Sequence, residues 1–342
     1  MGTATVTVFG AYGHTGRFVL TELLARGYAP VASGRDPRRL RDLADRTPGL
    51  AVRPASVDDP DSLDRALAGS AAVVNTAGPF ATTAGPLIDA ALRAGIPYVD
   101  VAAEIEANAD TLTRYAEPAR VAGVPVVPAM AFYGGLGDLL VTAALGEPTT
   151  ADEAHVAYGL SSWHPTAGTR AAGAVSRQRR AGRRVRYAHG RLEYRDDDAG
   201  TVTWPFPAPL GERTVLAEYS MADIVTIPSH LDIPDVRTYM TVEAARDLAD
   251  PDTPAPVATD DTGRSDQTFL VDAVVRTGGV QRRAVARGRD IYAVSAPLVV
   301  EAVHRILTGR TRTVGVASAG AIFDAPAVLD ALSAHLTVTL NP

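Results

Sequence analysis

The chain opens with a change of rhythm inside a single stretch, Thr3–Leu24. A β-branched run (Val6, Thr7, Val8, Phe9) meets three glycines, Gly10, Gly13 and Gly16, and gives way to helical spacing through Phe18, Val19, Leu23 and Leu24. That pattern predicts strand, tight turn, helix. Alternation continues to about residue 146. Strands are expected at Ala29–Ser33, Ala51–Ala55, Ala71–Thr76, Tyr98–Ala102 and Val124–Pro128. Helices are expected at Pro37–Arg46, Asp61–Ala68, Gly85–Ala94, Ile105–Ala122 and Gly137–Leu145. Near-continuous apolar strands between helices indicate a parallel sheet covered on both faces.

Beyond residue 150 the period shifts towards two. Ala154–Tyr158, Arg183–Tyr194, Thr201–Trp204, Tyr239–Glu243 and Gln267–Arg276 read as strands, the last turning through Gly278–Gly279 into Gln281–Arg287. One helix, Thr169 to Arg180, interrupts them, and the Pro- and Asp-rich Asp250–Asp266 reads as a surface loop. Helical spacing returns from Ser295, with a last helix over Pro326–Leu336. The expected fold is α/β: a Rossmann-type doubly wound parallel sheet with an inserted α+β, mainly antiparallel domain. Residues 1–146, completed by 291–342, would form the dinucleotide-binding domain. Residues 147–290 would form a substrate or dimerisation domain.

Composition narrows the chemistry. Cysteine is absent, which removes disulfides, thiolate nucleophiles and Cys-ligated metals. Lysine is absent too: all 33 basic residues are arginine, so a Schiff base, a P-loop lysine and a Tyr-x-x-x-Lys pair are excluded. A proton donor must be His, Tyr, Asp, Glu or water. The net charge of −6 favours neither nucleic acid nor membrane as partner. No apolar run reaches the roughly 18 residues that span a bilayer. With the first strand starting so near Met1, the expectation is a cytoplasmic protein acting on a small molecule. An open sheet face in the second domain suits a homodimer. No metal-ligand spacing is present.

The glycine turn between strand and helix suits a pyrophosphate, because the backbone comes close and free N–H groups face the anion. Several stretches together resemble the saccharopine dehydrogenase-like NAD(P)-dependent oxidoreductases, a group that includes trans-acting enoyl reductases. They are Gly10–Arg17, Ala32–Leu40, Val73–Phe80, Tyr98–Glu104 and Phe132–Leu140, with a weaker likeness at Thr166–Ala172. The resemblance implies a nicotinamide cofactor and hydride transfer, and leaves the substrate open.

Residues Gly10, Tyr12, Gly13, His14, Thr15 and Gly16 are then expected around the pyrophosphate. Ser33, Arg35 and Arg38 would lie near the ribose. An NAD enzyme usually carries an acid at that strand end, whereas Arg35 suits a 2′-phosphate, so NADP(H) is expected over NAD(H). Asp36 reads as a helix cap and Arg39 as a solvated helix residue. Asp58 suits either the adenine amino group or a cap. Thr76, Ala77, Gly78, Pro79 and Phe80 would run under the cofactor. The catalytic candidates are Tyr133, His164 and Glu104, with Glu104 equally suited to a helix first turn. Arg170 is a candidate for a substrate carboxylate. The run Arg177, Arg179, Arg180, Arg183, Arg184 and Arg186 reads as a solvated face balanced by Asp196–Asp198. The expected activity is an NADP(H)-dependent reductase of a polarised C=C or C=N bond. Two alternatives stay open: a nucleotide sensor without catalysis, and a lyase or transferase that uses bound NAD(P) without net redox.

Overall fold

A computed structural model describes residues 3–341. The first half alternates β1 (Thr5–Phe9), α1 (His14–Ala25), β2 (Ala29–Gly34), α2 (Pro37–Asp45), β3 (Ala51–Pro54), α3 (Pro60–Leu67), β4 (Ala72–Asn75) and α4 (Phe80–Ala94). It continues through β5 (Tyr98–Asp100), α5 (Ile105–Arg114), α6 (Ala116–Ala122), β6 (Val126–Val127) and α7 (Gly137–Leu145). The six strands pair in parallel in the order β3-β2-β1-β4-β5-β6. That is the doubly wound order, and it places a crevice where β1 and β4 diverge.

The second half begins with β7 (Glu153–Leu160), α8 (Ala167–Arg179), β8 (Arg184–Ala188), β9 (Arg191–Arg195), β10 (Thr201–Pro205), β11 (Glu212–Leu216) and α9 (Asp223–Thr226). There follow β12 (Asp235–Thr241), α10 (Val242–Ala249), β13 (Thr268–Thr277), β14 (Val280–Arg289), α11 (Ser295–Leu307), α12 (Ala319–Ile322), α13 (Ala325–Ala331) and β15 (Leu336–Leu340). Its nine-stranded sheet runs β10-β11-β12-β7-β13-β14-β15, with β8 and β9 branching from β12. All its pairs are antiparallel except β12 with β7. One buried apolar cluster runs without interruption from Val6 and Val8 of the first sheet to Val156 and Ala273 of the second.

Helix α10 and strand β11 are absent from the sequence reading, β12 ends at Thr241 rather than Glu243, and four further elements differ. The helix expected over Ile105–Ala122 breaks at Tyr115, because Pro118 lacks an N–H and its ring collides with the turn before it. The strand expected over Arg183–Tyr194 is a hairpin, turning at His189 and Gly190, both with positive φ. Helix α4 begins five residues early, at Phe80. The tail divides. Helix α11 packs on α1, with Arg26 Nη1 donating to Glu301 at 2.6 Å and the Tyr28 hydroxyl 2.8 Å from His304 Nδ1. Leu336, expected to end a helix, instead starts β15, which pairs with β14 and so extends the second sheet.

Candidate active site

The glycine turn and the β4–α4 loop meet at the crevice. Gly10 has φ +85°, and a methyl group there would fall 2.8 Å from the Ala77 nitrogen, so only glycine lets the two loops touch. Gly16 seats α1 on the turn, since a methyl on it would come within 2.5 Å of the Gly10 carbonyl oxygen. From this junction a cleft of about 1670 Å³ extends between the sheets. Pockets for drug-sized ligands run to roughly 300–1,000 Å³, so this cleft exceeds what one such molecule needs.

Most expected cofactor residues line it: Gly10, Tyr12, Gly13, His14, Thr15, Arg35, Asp58 and the run Thr76–Phe80. Asp58 is free of capping work because Asp59 caps α3, accepting from the Ser62 N–H at 3.1 Å. Three expected residues lie elsewhere. Ser33 is fully buried behind the turn, where its carbonyl accepts from the N–H groups of Gly10 and Ala11. Gly16 packs rather than lines. Arg38 points away, and its neighbour Arg39 takes its place, with the guanidinium 4.4 Å above the Tyr12 ring on the cleft wall. One step along a helix turns a side chain through about 100°, so only one of two adjacent arginines can face the cleft.

The β4–α4 loop is braced from below. Asn75 Nδ2 donates to the Tyr98 hydroxyl at 3.1 Å, which donates to Asp100 Oδ2 at 2.8 Å, while Asn75 Oδ1 accepts from the Ala77 N–H. Burial pushes the Asp100 carboxyl up to about 6, against the pull of the Ala102 and Ala129 N–H groups and the Tyr98 hydroxyl.

The three catalytic candidates fare differently. Glu104 is 4% exposed, and both its oxygens are taken, by the Phe80 N–H at 2.6 Å and the Ala81 N–H at 3.0 Å. It holds the N-terminus of α4, which explains the early start of that helix. His164 does not line the cleft. Side chains alternate along an extended segment, and burying Trp163 and Pro165 leaves His164 on the other side. Tyr133 does line it. Its ring packs against Phe132, Tyr158 and Trp163, with centroids 4.8–5.0 Å away, and its buried hydroxyl has no partner. Burial holds that phenol well above its ordinary pKa, so it stays protonated.

Tyr292 is a site residue that the sequence reading missed. Its hydroxyl receives the Trp163 Nε1–H and the Thr166 N–H at 3.3 Å and lies 3.0 Å from the Thr169 hydroxyl. The ring meets His14 edge-on at 5.2 Å, linking the start of α8 to the glycine turn. No periodicity marks a tyrosine in a loop 120 residues from its partners.

A protein-family model described as NAD(P)H-binding matches residues 10–120. The chain carries an NAD(P)H-binding domain. The yeast (Saccharomyces cerevisiae) saccharopine dehydrogenase (L-Glu forming) superposes with a TM-score of 0.65 over 98% of this chain and 99% of that one, at 12% identity. The fold is that of a saccharopine dehydrogenase. Two relatives also match by sequence. One is a probable mitochondrial saccharopine dehydrogenase-like oxidoreductase of Arabidopsis thaliana, 30% identical over a 142-residue alignment that covers 37% of this chain and 31% of that protein. The other is a trans-acting enoyl reductase of Mycobacterium ulcerans, 28% identical over 142 residues, 40% of this chain and 34% of that protein. The matched stretch thus spans about a third of either relative. Among the described residues no helix is long and apolar enough to cross a membrane.

Proposed function

We propose that this saccharopine dehydrogenase-like chain is an NADP(H)-dependent reductase of a polarised C=C or C=N bond in a small molecule. The observation that carries the cofactor assignment is the pair Arg35 and Arg39, both on the cleft wall just beyond β2, while the acid between them, Asp36, caps α2 by accepting from the Arg38 and Arg39 N–H groups. Guanidinium groups there suit a 2′-phosphate, and one above Tyr12 suits stacking on the adenine as well.

The fit of a dinucleotide rests on the Gly10–Ala77 contact, the unfilled space above it and the start of α1, whose first N–H groups have no partner within the helix. A bound reduced nicotinamide supplies the hydride; the protein supplies position and polarity. Tyr133, Trp163 and Phe132 exclude water from one wall. The Tyr133 hydroxyl, protonated and without a partner, is the proton donor for the atom left electron-rich by reduction. Glu104 and Asn75 keep the loop under the cofactor in place. The relatives include both an enoyl reductase and a saccharopine dehydrogenase-like oxidoreductase, which supports keeping C=C and C=N together as the substrate class.

The test compares NADPH and NADH affinity in the wild type and in Arg35→Asp. At least a tenfold loss for NADPH with little change for NADH is expected; an unchanged ratio overturns the assignment. Turnover is read as loss of reduced-nicotinamide absorbance on a panel of imines and enoyl thioesters, and Tyr133→Phe is expected to lower kcat at least a hundredfold. Tight NADPH binding with no turnover on the panel would favour a sensor instead.

A further inference from the structure

The structure separates the arginines that the sequence presents as one basic run. Arg179 turns away from the cleft and pairs with Asp110 at 2.7 Å. Arg184 closes on Asp197 and Glu218 at 2.8 and 2.9 Å, and Arg186 on Glu193 and Glu218 at 2.9 and 3.0 Å. Arg170, the expected carboxylate ligand, is used to fasten α8, donating to the carbonyls of Asp250 and Thr253.

Arg177 and Arg180 are different. Three residues apart, they share one face at the end of α8, and both line the cleft. The exposed side chain of Arg177 makes no ion pair or hydrogen bond among the described residues. Arg180 keeps a side chain only 18% exposed, yet its buried Nε has no partner. Its Nη1 reaches the Ser176 hydroxyl at 3.4 Å and stands 3.9 Å from Glu106 Oε1. A charge-assisted hydrogen bond closes at about 2.7–2.9 Å, so Glu106 offsets the charge without satisfying the donors. The other Glu106 oxygen is taken by the Ser176 hydroxyl at 2.6 Å. Asp196 and Asp198 stand exposed at the mouth and pair with neither arginine. A desolvated guanidinium left short of acceptors is costly, and here the shortfall opens into the cleft.

We infer that Arg177 and Arg180 form a subsite for an anionic group, carboxylate or phosphate, on the substrate. The half-buried Tyr219 lines the same cleft. The substrate is thus held by its anion at the end of α8 while its reducible bond faces the Tyr133 wall. The subsite rests on the reductase reading only for what it orients.

The experiment titrates acetate, glutarate and inorganic phosphate into the full chain by calorimetry, with and without saturating NADPH. One-to-one binding of at least one probe is expected, weakened at least tenfold in Arg180→Gln and at least threefold in Arg177→Gln. Arg179→Gln should bind like the wild type, and Arg180→Lys should recover part of the loss. Preference for phosphate identifies a phosphate-bearing substrate, and preference for acetate or glutarate a carboxylate. Absence of binding by all three probes, or wild-type affinity in Arg180→Gln, overturns the subsite. If Arg180→Gln is unfolded by its melting curve, Arg177→Gln decides alone. A chain that fails to bind NADPH overturns the reductase reading, while the same comparison without NADPH still judges the subsite.

Discussion

Glu104 shows how a single side chain resolves between two roles. Its carboxylate is a bidentate acceptor for the first two N–H groups of α4, a site where a helix dipole favours negative charge. Burial nevertheless raises its pKa, because the two N–H groups only partly replace lost water. Glu104→Gln keeps one acceptor and sets an amide N–H against a backbone donor. It should destabilise the fold by about 1–3 kcal/mol and weaken NADPH binding, since α4 follows the cofactor loop directly. Thermal melts and cofactor titration check this; a variant that binds and melts normally but loses kcat alone would return Glu104 to the catalytic list. The sequence offered Glu104 as a catalyst or as a first-turn residue of the helix after it, not as the anchor of α4, because a cap contributed from 24 residues downstream leaves no local spacing. Arg38 and Arg39 are a similar case. Both residue types were legible, and the helix phase that turns one of them onto Tyr12 was not.

At the scale of elements, what was legible followed local periodicity and what was missed depended on tertiary partners. The alternation of strands and helices through α7, the β13–β14 hairpin and the α8 helix all follow from patterns within a dozen residues. Strand β11 and strand β15 are short and half-exposed, so they exist because a sheet edge accepts them rather than because their sequence demands it. The start of α8 is likewise set from outside. Thr166 caps it, accepting from the Thr169 N–H at 3.0 Å, and the Tyr292 hydroxyl fixes that cap to the loop before α11. Tyr292→Phe removes the hydroxyl and keeps the ring against His14. It should cost about 1–2 kcal/mol and speed amide hydrogen exchange across residues 163–170, with the rest of the sheet unchanged. Uniform exchange rates in that segment would show that the Thr166 cap suffices by itself.

A buried polar cluster between α7, α9, α12 and β7 gives the molecule a pH dependence. Asp223 of α9 is fully buried, accepts from the Tyr158 hydroxyl at 2.8 Å and leaves Oδ2 without a partner. It rests directly on the α7 backbone, where a methyl at Gly137 would fall 1.9 Å from Oδ1. Nearby, Asp138 of α7 accepts from the Gly320 N–H of α12 at 2.8 Å and lies 2.7 Å from His230 Nε2. Burial pushes the Asp223 carboxyl up to about 6, outweighing the pull of the Tyr158 hydroxyl. For His230 burial lowers the pKa, but the charge and hydrogen bond of Asp138 together outweigh it and leave a net rise. A raised folded pKa means the folded state holds its proton more tightly. The stability this confers is complete below the unfolded pKa and is lost as pH rises through the folded one. For Asp223 that window runs from near its ordinary value of 3.8 up to about 6, and for His230 it opens at 6.5 and extends upward. His14, His155, His304 and His335 have lowered pKa values, burial being the largest cause in each, and act in the opposite sense, so the contrast must be read between variants. Asp223→Asn keeps the shape and the acceptor for Tyr158 without the charge. Relative to the wild type it should gain stability as pH rises from about 4 to 7, approaching roughly 2–3 kcal/mol. His230→Gln should lose most stability below about pH 6.5 and progressively less as pH rises, because the protonated imidazole is the form that Asp138 binds. Parallel melting curves of the three proteins across that range would show instead that the cluster holds these elements together by packing alone.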